Sequence, residues 1–391
     1  MDKGNVLVVG NSGVGKSTLI NAILGDEYAK TSFGTKGTTS EVYVYEEDSS
    51  PFNLIDTAGF EPGFIKENNA ISSIKKWSVQ NAKDGNEENN INAIWFCVDG
   101  MAAKLFPRTL KNLVKATSVW KTAPIIVVIT KSFSEPDQEK NIQMVKEAAK
   151  DSEHLSEYMR DVIPVVAQTL TVNDTAYVPS VGITELIDAT EDVLPEGRRA
   201  AKSDVFDFKC KRKKALAQGI VSGATVSAAV VGAAPIPLAD AVILVPIEMA
   251  LTSSLAKLYG IGNDDQTKRL LGTIVEAGTV GVAAKAAISM LKTIPGVNIA
   301  TAPLNAAIAG GIVAAIGEGS IYIFEKVYRG EKTVVDIDWA KDFMDKVFSE
   351  QFVSKVAEVI KDFSKNSNGA NAIKQVADLL GNTFGLAAQK S

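Results

Sequence analysis

The stretch VLVVGNSGVGKSTLINAILG, residues 6–25, decides the fold of the first half of the chain. A run of apolar, β-branched residues ends at Gly10, a glycine-rich turn follows, and from Lys16 the pattern becomes helical. Gly10, Gly15, Lys16 and Ser17 fit G-x-x-x-x-G-K-[ST] in the strand-to-helix setting that this motif requires. The residue types dictate the chemistry. Across Gly10, Asn11, Ser12, Gly13, Val14, Gly15, Lys16, Ser17 and Thr18, glycines let successive backbone N–H groups turn inward on phosphates. Lys16 brings a point charge to the β and γ phosphate groups, and the Ser17 hydroxyl is a ligand for Mg²⁺.

Outward from this turn, short apolar runs alternate with polar helical patterns as far as about Leu194: VLVVG, EVYVY, FNLID, AIWFCVDG, PIIVVIT and VIPVVA. Strands alternating with helices predict an α/β domain whose mostly parallel sheet is covered by helices on both faces. A polar insertion between Trp77 and Trp95 reads as a loop. GITELIDATEDVLPEG supplies the last helix, stopped by Pro195 and Gly197, so the first domain is expected over residues 1–197.

At the end of the FNLI strand stands DTAG, Asp56 to Gly59. Its carboxylate is placed to hold the water shell of Mg²⁺, and the Gly59 amide to sense a γ-phosphate. Ahead of it, TSFGTKGTTSEVYVY offers Thr35, Thr38 and Thr39. Thr38 and Thr39 are the candidates for a hydroxyl that closes on the metal when a triphosphate is bound. Either threonine taken alone fits a solvated loop equally well.

In this order the motifs resemble those of the Era-like branch of the translation-factor-class GTPases, and the phosphate loop is also similar to that of the immunity-related GTPases. The resemblance implies GTP and GDP as ligands, Mg²⁺ as cofactor, and triphosphate hydrolysis with Lys16, Thr38, Thr39 and Gly59 around the reacting phosphate. It implies that Thr130 and Lys131, in TKSF, correspond to the base-reading N/T-K-x-D, and that Ala167, in VVAQ, matches the base-contact S-A-K segment. Three departures stand out. Phe133 replaces the aspartate that grips guanine, Phe60 follows Gly59 where a Ras-like enzyme orients water with glutamine, and Gly13 stands where potassium-activated relatives place asparagine. Slow hydrolysis is expected, stimulated by a protein partner or by a second copy docking through the same domain. Phe133 alone also admits an ATPase.

Beyond residue 197 the character changes. Residues 198–214 hold eight Lys or Arg against two Asp, a local excess of +6, and read as a basic linker. Ala215–Ala239 and Thr293–Gly317 are each 25 residues without a charge. Helices are expected at 215–234, 238–259 (after a corner at Pro235 and Pro237), 267–292 and about 304–328, forming an apolar helical domain at 215–330. Residues 331–391 read as amphipathic helices, with Phe343, Val347, Phe352 and Val356 near one face. Ala215–Ala234 is long enough to span a bilayer and carries Gly219 and Gly223 in G-x-x-x-G spacing. Lys211, Arg212, Lys213 and Lys214 precede it, where they would attract an anionic membrane. Asp240, Glu248 and Glu276 oppose spanning, and a soluble bundle dense in Ala and Gly explains the same composition. GITELIDATEDVLPEGRRAA followed by APIPLADAVILVPIEMALTSSLAKLYG resembles the bacterial GTPases that carry an uncharacterised, often membrane-associated helical domain behind an Era-like domain.

The 391 residues and formal charge of −5 argue against a general nucleic-acid binder. Two unpaired-looking cysteines, Cys97 and Cys210, fit a reducing cytoplasm. MDKGNVLVVG enters a strand within five residues, so no signal peptide is expected. His154, the single histidine, reads as a solvated helix residue and excludes a His-based triad. The composite expectation is a slowly hydrolysing GTP switch whose nucleotide state controls an apolar helical domain at a membrane or on a protein effector. The alternative is a nucleotide-binding assembly module that does not hydrolyse and carries a soluble helical bundle.

Overall fold

The computed structural model describes residues 3–11, 13–25, 42–57, 90–117, 120, 122–173, 175–233, 244–279, 286, 289, 302–348, 350–366 and 372–384. The chain divides into two compact units, Met1–Gln168 with Val181–Arg212, and Thr169–Ser180 with Lys213–Ser391.

In the first unit five of the apolar runs are strands and the sixth, VIPVVA, overlaps only the end of the last, giving one sheet of β1 (Gly4–Gly10), β2 (Val42–Tyr45), β3 (Phe52–Thr57), β4 (Ile91–Asp99), β5 (Ile125–Thr130) and β6 (Met159–Pro164), in the order β2-β3-β1-β4-β5-β6. Every pairing is parallel except β2 with β3. All seven residues of β1 and all six of β5 are buried, the signature of parallel strands covered on both faces. The unit's described helices are α1 (Lys16–Leu24), α2 (Phe106–Ala116), α3 (Glu135–Lys150), α4 (Glu153–Tyr158) and α5 (Ile183–Val193). Leu7, Phe96 and Val127 pack with Leu110 of α2 and Val145 of α3. On the opposite face the Trp95 indole donates to the Thr190 hydroxyl of α5 at 3.1 Å and meets the Phe52 ring edge-on at 5.8 Å. His154 departs from its expected solvation, because it lies half-buried with its ring 5.0 Å from that of Tyr158.

Glu191, on α5, gives this unit a pH dependence. Burial pushes its carboxyl up to about 7, against the Ala200 amide and Arg199, which pull it down; Asp192 and Asp188 push the same way as burial. The unfolded chain therefore releases this proton at lower pH than the folded one. The contribution of Glu191 to stability is accordingly lost as pH rises from the ordinary glutamate range to about 7. Glu191→Gln is expected to raise the melting temperature of the unit at pH 8 and to match the parent near pH 4. Parallel melting curves for the two proteins across that range would show that the carboxyl is not perturbed.

The second unit is built on α6 (Lys202–Gly232, from Lys213 onward), α7 (Val245–Leu258), α8 (Asp265–Thr279), α9 (Ala302–Tyr328), α10 (Ile337–Val347), α11 (Glu350–Asn366) and α12 (Ala372–Phe384). The α9 helix is the axis, with α7, α8, α10, α11 and α12 against it. Its glycines admit close approach. A Cβ on Gly317 would lie 2.5 Å from Val221 Cγ1, and one on Gly311 would lie 2.7 Å from Val356 Cγ2. Among the described residues two helices are long and apolar enough to cross a membrane: Lys202–Gly232, with half of its most apolar stretch buried, and Asn305–Tyr328, with 89% of that stretch buried. The small residues of α9 thus serve packing inside the unit, as they do in dense soluble bundles.

Several boundaries differ from those expected. The basic run is helical from Lys202, since Lys and Arg are strong helix formers. Lys213, expected at a lipid surface, is buried, with its ammonium bonded to the Leu258 carbonyl at the end of α7 and 4.9 Å from the Tyr328 ring centroid. Arg212 is half-buried, and only Lys211 and Lys214 of the four are exposed. Glu248 is fully buried, whereas Glu276 is exposed. Gly219 faces Thr169, not a helix. The amphipathic segment breaks at Phe348 into α10 and α11, and its Met344, Phe348, Phe352 and Val356 enter the same core as α9. A hairpin, β7 (Leu170–Asn173) with β8 (Ala176–Val178), belongs to this unit, and its Tyr177 packs against the same apolar core. The Pro235–Pro237 corner, Asp240, the Trp77–Trp95 insertion before residue 90, and residues 293–301 lie outside the described residues.

Candidate functional site

The site lies at the C-terminal ends of β1, β3, β4 and β5, where ligands of open parallel sheets bind. Gly13 and Gly15 adopt left-handed φ values of 74° and 102°, which a side chain would oppose. Gly10 is needed for space: a Cβ there would lie 2.6 Å from the Cys97 carbonyl oxygen. Lys16 opens α1 and is buried, with its ammonium donating to the carbonyls of Gly10 at 2.9 Å and Asn11 at 3.3 Å. Val14 N–H crosses the loop to Asn11 O at 3.3 Å. Ser17, on the first turn of α1, is exposed, and Thr18 is half-buried.

Asp56 is buried on β3, opposite Val8 of β1. Cys97, paired with Gly10 across β1 and β4, registers the local field. Burial pushes its thiol up to about 12, Lys16 pulls it down, and Asp56 pushes it up. One ammonium and one carboxylate therefore share the loop's floor with an inert thiol.

The TKSF segment holds the loop's outer side. The buried Thr130 hydroxyl bonds the Val14 carbonyl at 2.6 Å and the Val98 carbonyl at 2.9 Å. Lys131, the single non-glycine residue with positive φ (52°) among those described, donates to Gly13 O at 2.8 Å and pairs with Asp99 at 2.7 Å. Ser132 N–H bonds Val165 O at 3.2 Å, which brings VVAQ beside TKSF, and Ala167 is half-buried within that segment. Phe133 is half-buried, and its N–H closes a tight turn on Lys131 O at 2.8 Å.

The structure thus brings together Gly10, Asn11, Gly13, Val14, Gly15, Lys16, Ser17, Thr18, Asp56, Thr130, Lys131 and Ala167 at one edge of the first unit's sheet. Ser12, Thr35, Thr38, Thr39, Gly59 and Phe60 lie outside the described residues. Asp99 is the residue that sequence reasoning passed over, since AIWFCVDG reads only as a strand; its position at a strand's carboxyl end was the available signal. Among the described residues no group of three or more His, Cys, Asp or Glu is positioned for a metal. The donor set still fits Mg²⁺, which takes one or two protein oxygens and completes its shell with phosphate oxygens and water.

Residues 5–131 match the family described as 50S ribosome-binding GTPase, and residues 207–336 match the Domain of unknown function (DUF697). These two matches agree with an Era-like P-loop GTPase domain followed by a helical domain. GTPase Der of Ralstonia pickettii is 41% identical over 76 residues, 19% of this chain and 16% of that protein. GTPase Der of Neisseria meningitidis serogroup B is 38% identical over 86 residues, 22% of this chain and 17% of that protein. The matched segments therefore span about a sixth of these relatives. Among solved structures, Toc33 from Arabidopsis thaliana is similar with a TM-score of 0.36 and 19% identity over 51% of this chain and 87% of that one. Era of Aquifex aeolicus is similar with a TM-score of 0.31 and 21% identity over 57% of this chain and 67% of that one.

Proposed function

We propose that the chain is a GTP-binding, slowly hydrolysing switch whose nucleotide state controls its helical unit. The observation that carries the reading is the buried Lys16 ammonium, folded over a loop whose Gly13 and Val14 carbonyls are tied outward to Lys131 and Thr130. An anionic phosphate oxygen is a stronger acceptor than the neutral carbonyls of Gly10 and Asn11, so the ammonium exchanges them for the β and γ groups. The Ser17 hydroxyl and the Asp56 carboxylate, directly or through water, are the groups to hold Mg²⁺, which when bound neutralises charge on the bridging phosphate oxygens. Thr38 or Thr39 and the Gly59 amide are the groups to sense the γ-phosphate. Hydrolysis is slow because Phe60 cannot orient water as a glutamine does, and a protein partner or a second copy of the domain stimulates it.

The helical unit is the element that responds. With its most apolar helix mostly buried, it acts on a protein effector or reaches an anionic membrane through exposed cations such as Lys214. A second reading is favoured by Phe133 together with Phe60: a module that binds nucleotide and assembles without cleaving it.

One set of measurements separates these readings. ATP is expected to compete against labelled GTP more weakly than unlabelled GTP does, by about one power of ten, because the missing carboxylate removes only part of the base discrimination. Equal competition would leave a nucleotide site without guanine preference. Single-turnover cleavage should be slow but complete, whereas binding without cleavage selects the assembly module. In the same samples, anionic vesicles that sediment the protein support the membrane arm. A protein that stays in the supernatant with every nucleotide assigns the response to a protein partner.

A further inference from the structure

The Asp99 carboxylate ends β4 and makes two bonds with different consequences. Oδ1 accepts the Met101 N–H at 3.0 Å, which starts the short helical turn Gly100–Leu105. Oδ2 takes the Lys131 ammonium at 2.7 Å, and that ammonium donates in turn to the Gly13 carbonyl at 2.8 Å. Gly13 has no neighbour within 4 Å of the place where a Cβ would stand, so side-chain packing does not fix its left-handed peptide. Hydrogen bonds on its two sides do: Lys131 donates to its carbonyl, and its Val14 N–H reaches Asn11 O at 3.3 Å. In a trans peptide the Gly13 carbonyl and the Val14 N–H point to opposite sides, so holding the carbonyl outward keeps the amide turned into the loop. A lysine is a long, flexible donor with a large rotamer entropy to lose, and one neutral carbonyl is a weak reason for it to stay. A carboxylate on its other side supplies the reason. Phe133 has removed the carboxylate that the motif usually carries at its end, which leaves Asp99 as the acidic side chain bonded to this segment among the described residues.

We propose that Asp99 is a positioning residue for the nucleotide: it orients Lys131 so that the ammonium clamps the Gly13 peptide of the phosphate loop. The inference rests on the nucleotide-binding reading of the same site. It requires that Asp99 act through Lys131, and a double-mutant cycle in the full chain tests that requirement. Asp99→Asn keeps an acceptor for Met101 N–H and removes the charge; Lys131→Met keeps the stem and removes the ammonium. Dissociation constants for GDP and for a non-hydrolysable GTP analogue, with Mg²⁺, are measured for the parent, both single variants and the double variant. Thermal midpoints are measured for all four without nucleotide. Each single variant should bind about tenfold more weakly, the scale of one hydrogen bond to a charged group, with a midpoint close to the parent's. The double variant should bind no more weakly than Lys131→Met alone. The proposal is overturned if Asp99→Asn binds within about twofold of the parent or if the two losses multiply to about a hundredfold. It is equally overturned if the loss in Asp99→Asn follows a lowered midpoint, since that marks a merely structural role. A parent that binds neither nucleotide defeats the reading of the site and this role with it, whereas a binding parent with an unaffected Asp99→Asn defeats the role of Asp99 alone.

Discussion

Lys16→Ala is expected to lower affinity for a Mg²⁺–triphosphate analogue by two to four orders of magnitude. The buried ammonium has two carbonyl partners within 3.3 Å, so it already sits within the loop that would receive the phosphates. Hydrogen bonds to charged groups are worth about 1.5–3 kcal/mol each, and contact with two phosphate groups doubles that. At about 1.4 kcal/mol per tenfold, the loss is roughly 10² to 10⁴ in the dissociation constant. Alanine also leaves space and takes a donor from the Gly10 and Asn11 carbonyls, so Lys16→Met, which keeps the stem, is the companion variant. Both should lose binding while circular dichroism reports an intact fold. A Lys16→Met protein that holds the analogue within about threefold of the parent would falsify the cradle, because charge would then not be what binds.

The phosphate loop was legible because its constraints are local. Gly10, Gly13 and Gly15 answer to backbone geometry and close approach, and Lys16 follows at fixed spacing on the first helical turn. The six strands were legible for a related reason: parallel strands covered on both faces must be continuously apolar, and VLVVG and IIVVIT are. Asp99 was not, because a strand-terminal carboxylate acquires its meaning from Lys131, which is 32 residues away in sequence and adjacent only across β4 and β5.

The basic run misled for a different reason. Charge density says nothing about which side of a helix each cation takes, and Lys213 differs from Lys211 and Lys214 only in its phase along α6. Its stem is buried, and its ammonium caps the carbonyl end of α7, a favourable place for a cation. The hairpin at 170–178 escaped because its first strand, LTVN, is exposed at every residue and carries no apolar face to announce it. Tyr177, on the second strand, packs against the unit's apolar core.

Glycine substitutions in the helical unit should divide sharply by position, with Gly317→Val at the unfavourable extreme. A Cβ there would lie 2.5 and 2.6 Å from the two γ-carbons of Val221 and 3.1 Å from its Cβ. Val221 is itself β-branched and fully buried, so it has no flexible end to swing aside, and relief requires α6 and α9 to separate. Overpacking of a core costs about 1–3 kcal/mol and occasionally more, and a unit of this size loses about 2–4 °C of melting temperature per kcal/mol. A fall of roughly 2–12 °C, or loss of a cooperative transition, is the expected result on these figures. Gly272→Ala, in the middle of α8, should do the reverse, because nothing lies within 4 Å of its new methyl and alanine is the better helix former by about 0.5–1 kcal/mol. The contrast bears on the small residues of the unit as a class. If they are spacers for a lipid-facing surface, Gly317→Val places a methyl-bearing side chain toward acyl chains and leaves the melt in aqueous buffer unmoved. If they set the distance between α6 and α9, it opens the unit, exposes the apolar run of α9, and raises binding of an apolar dye together with the loss of the transition. Paired melts and dye titrations of Gly317→Val and Gly272→Ala decide between these, and an unmoved Gly317→Val melt would return α9 to the membrane.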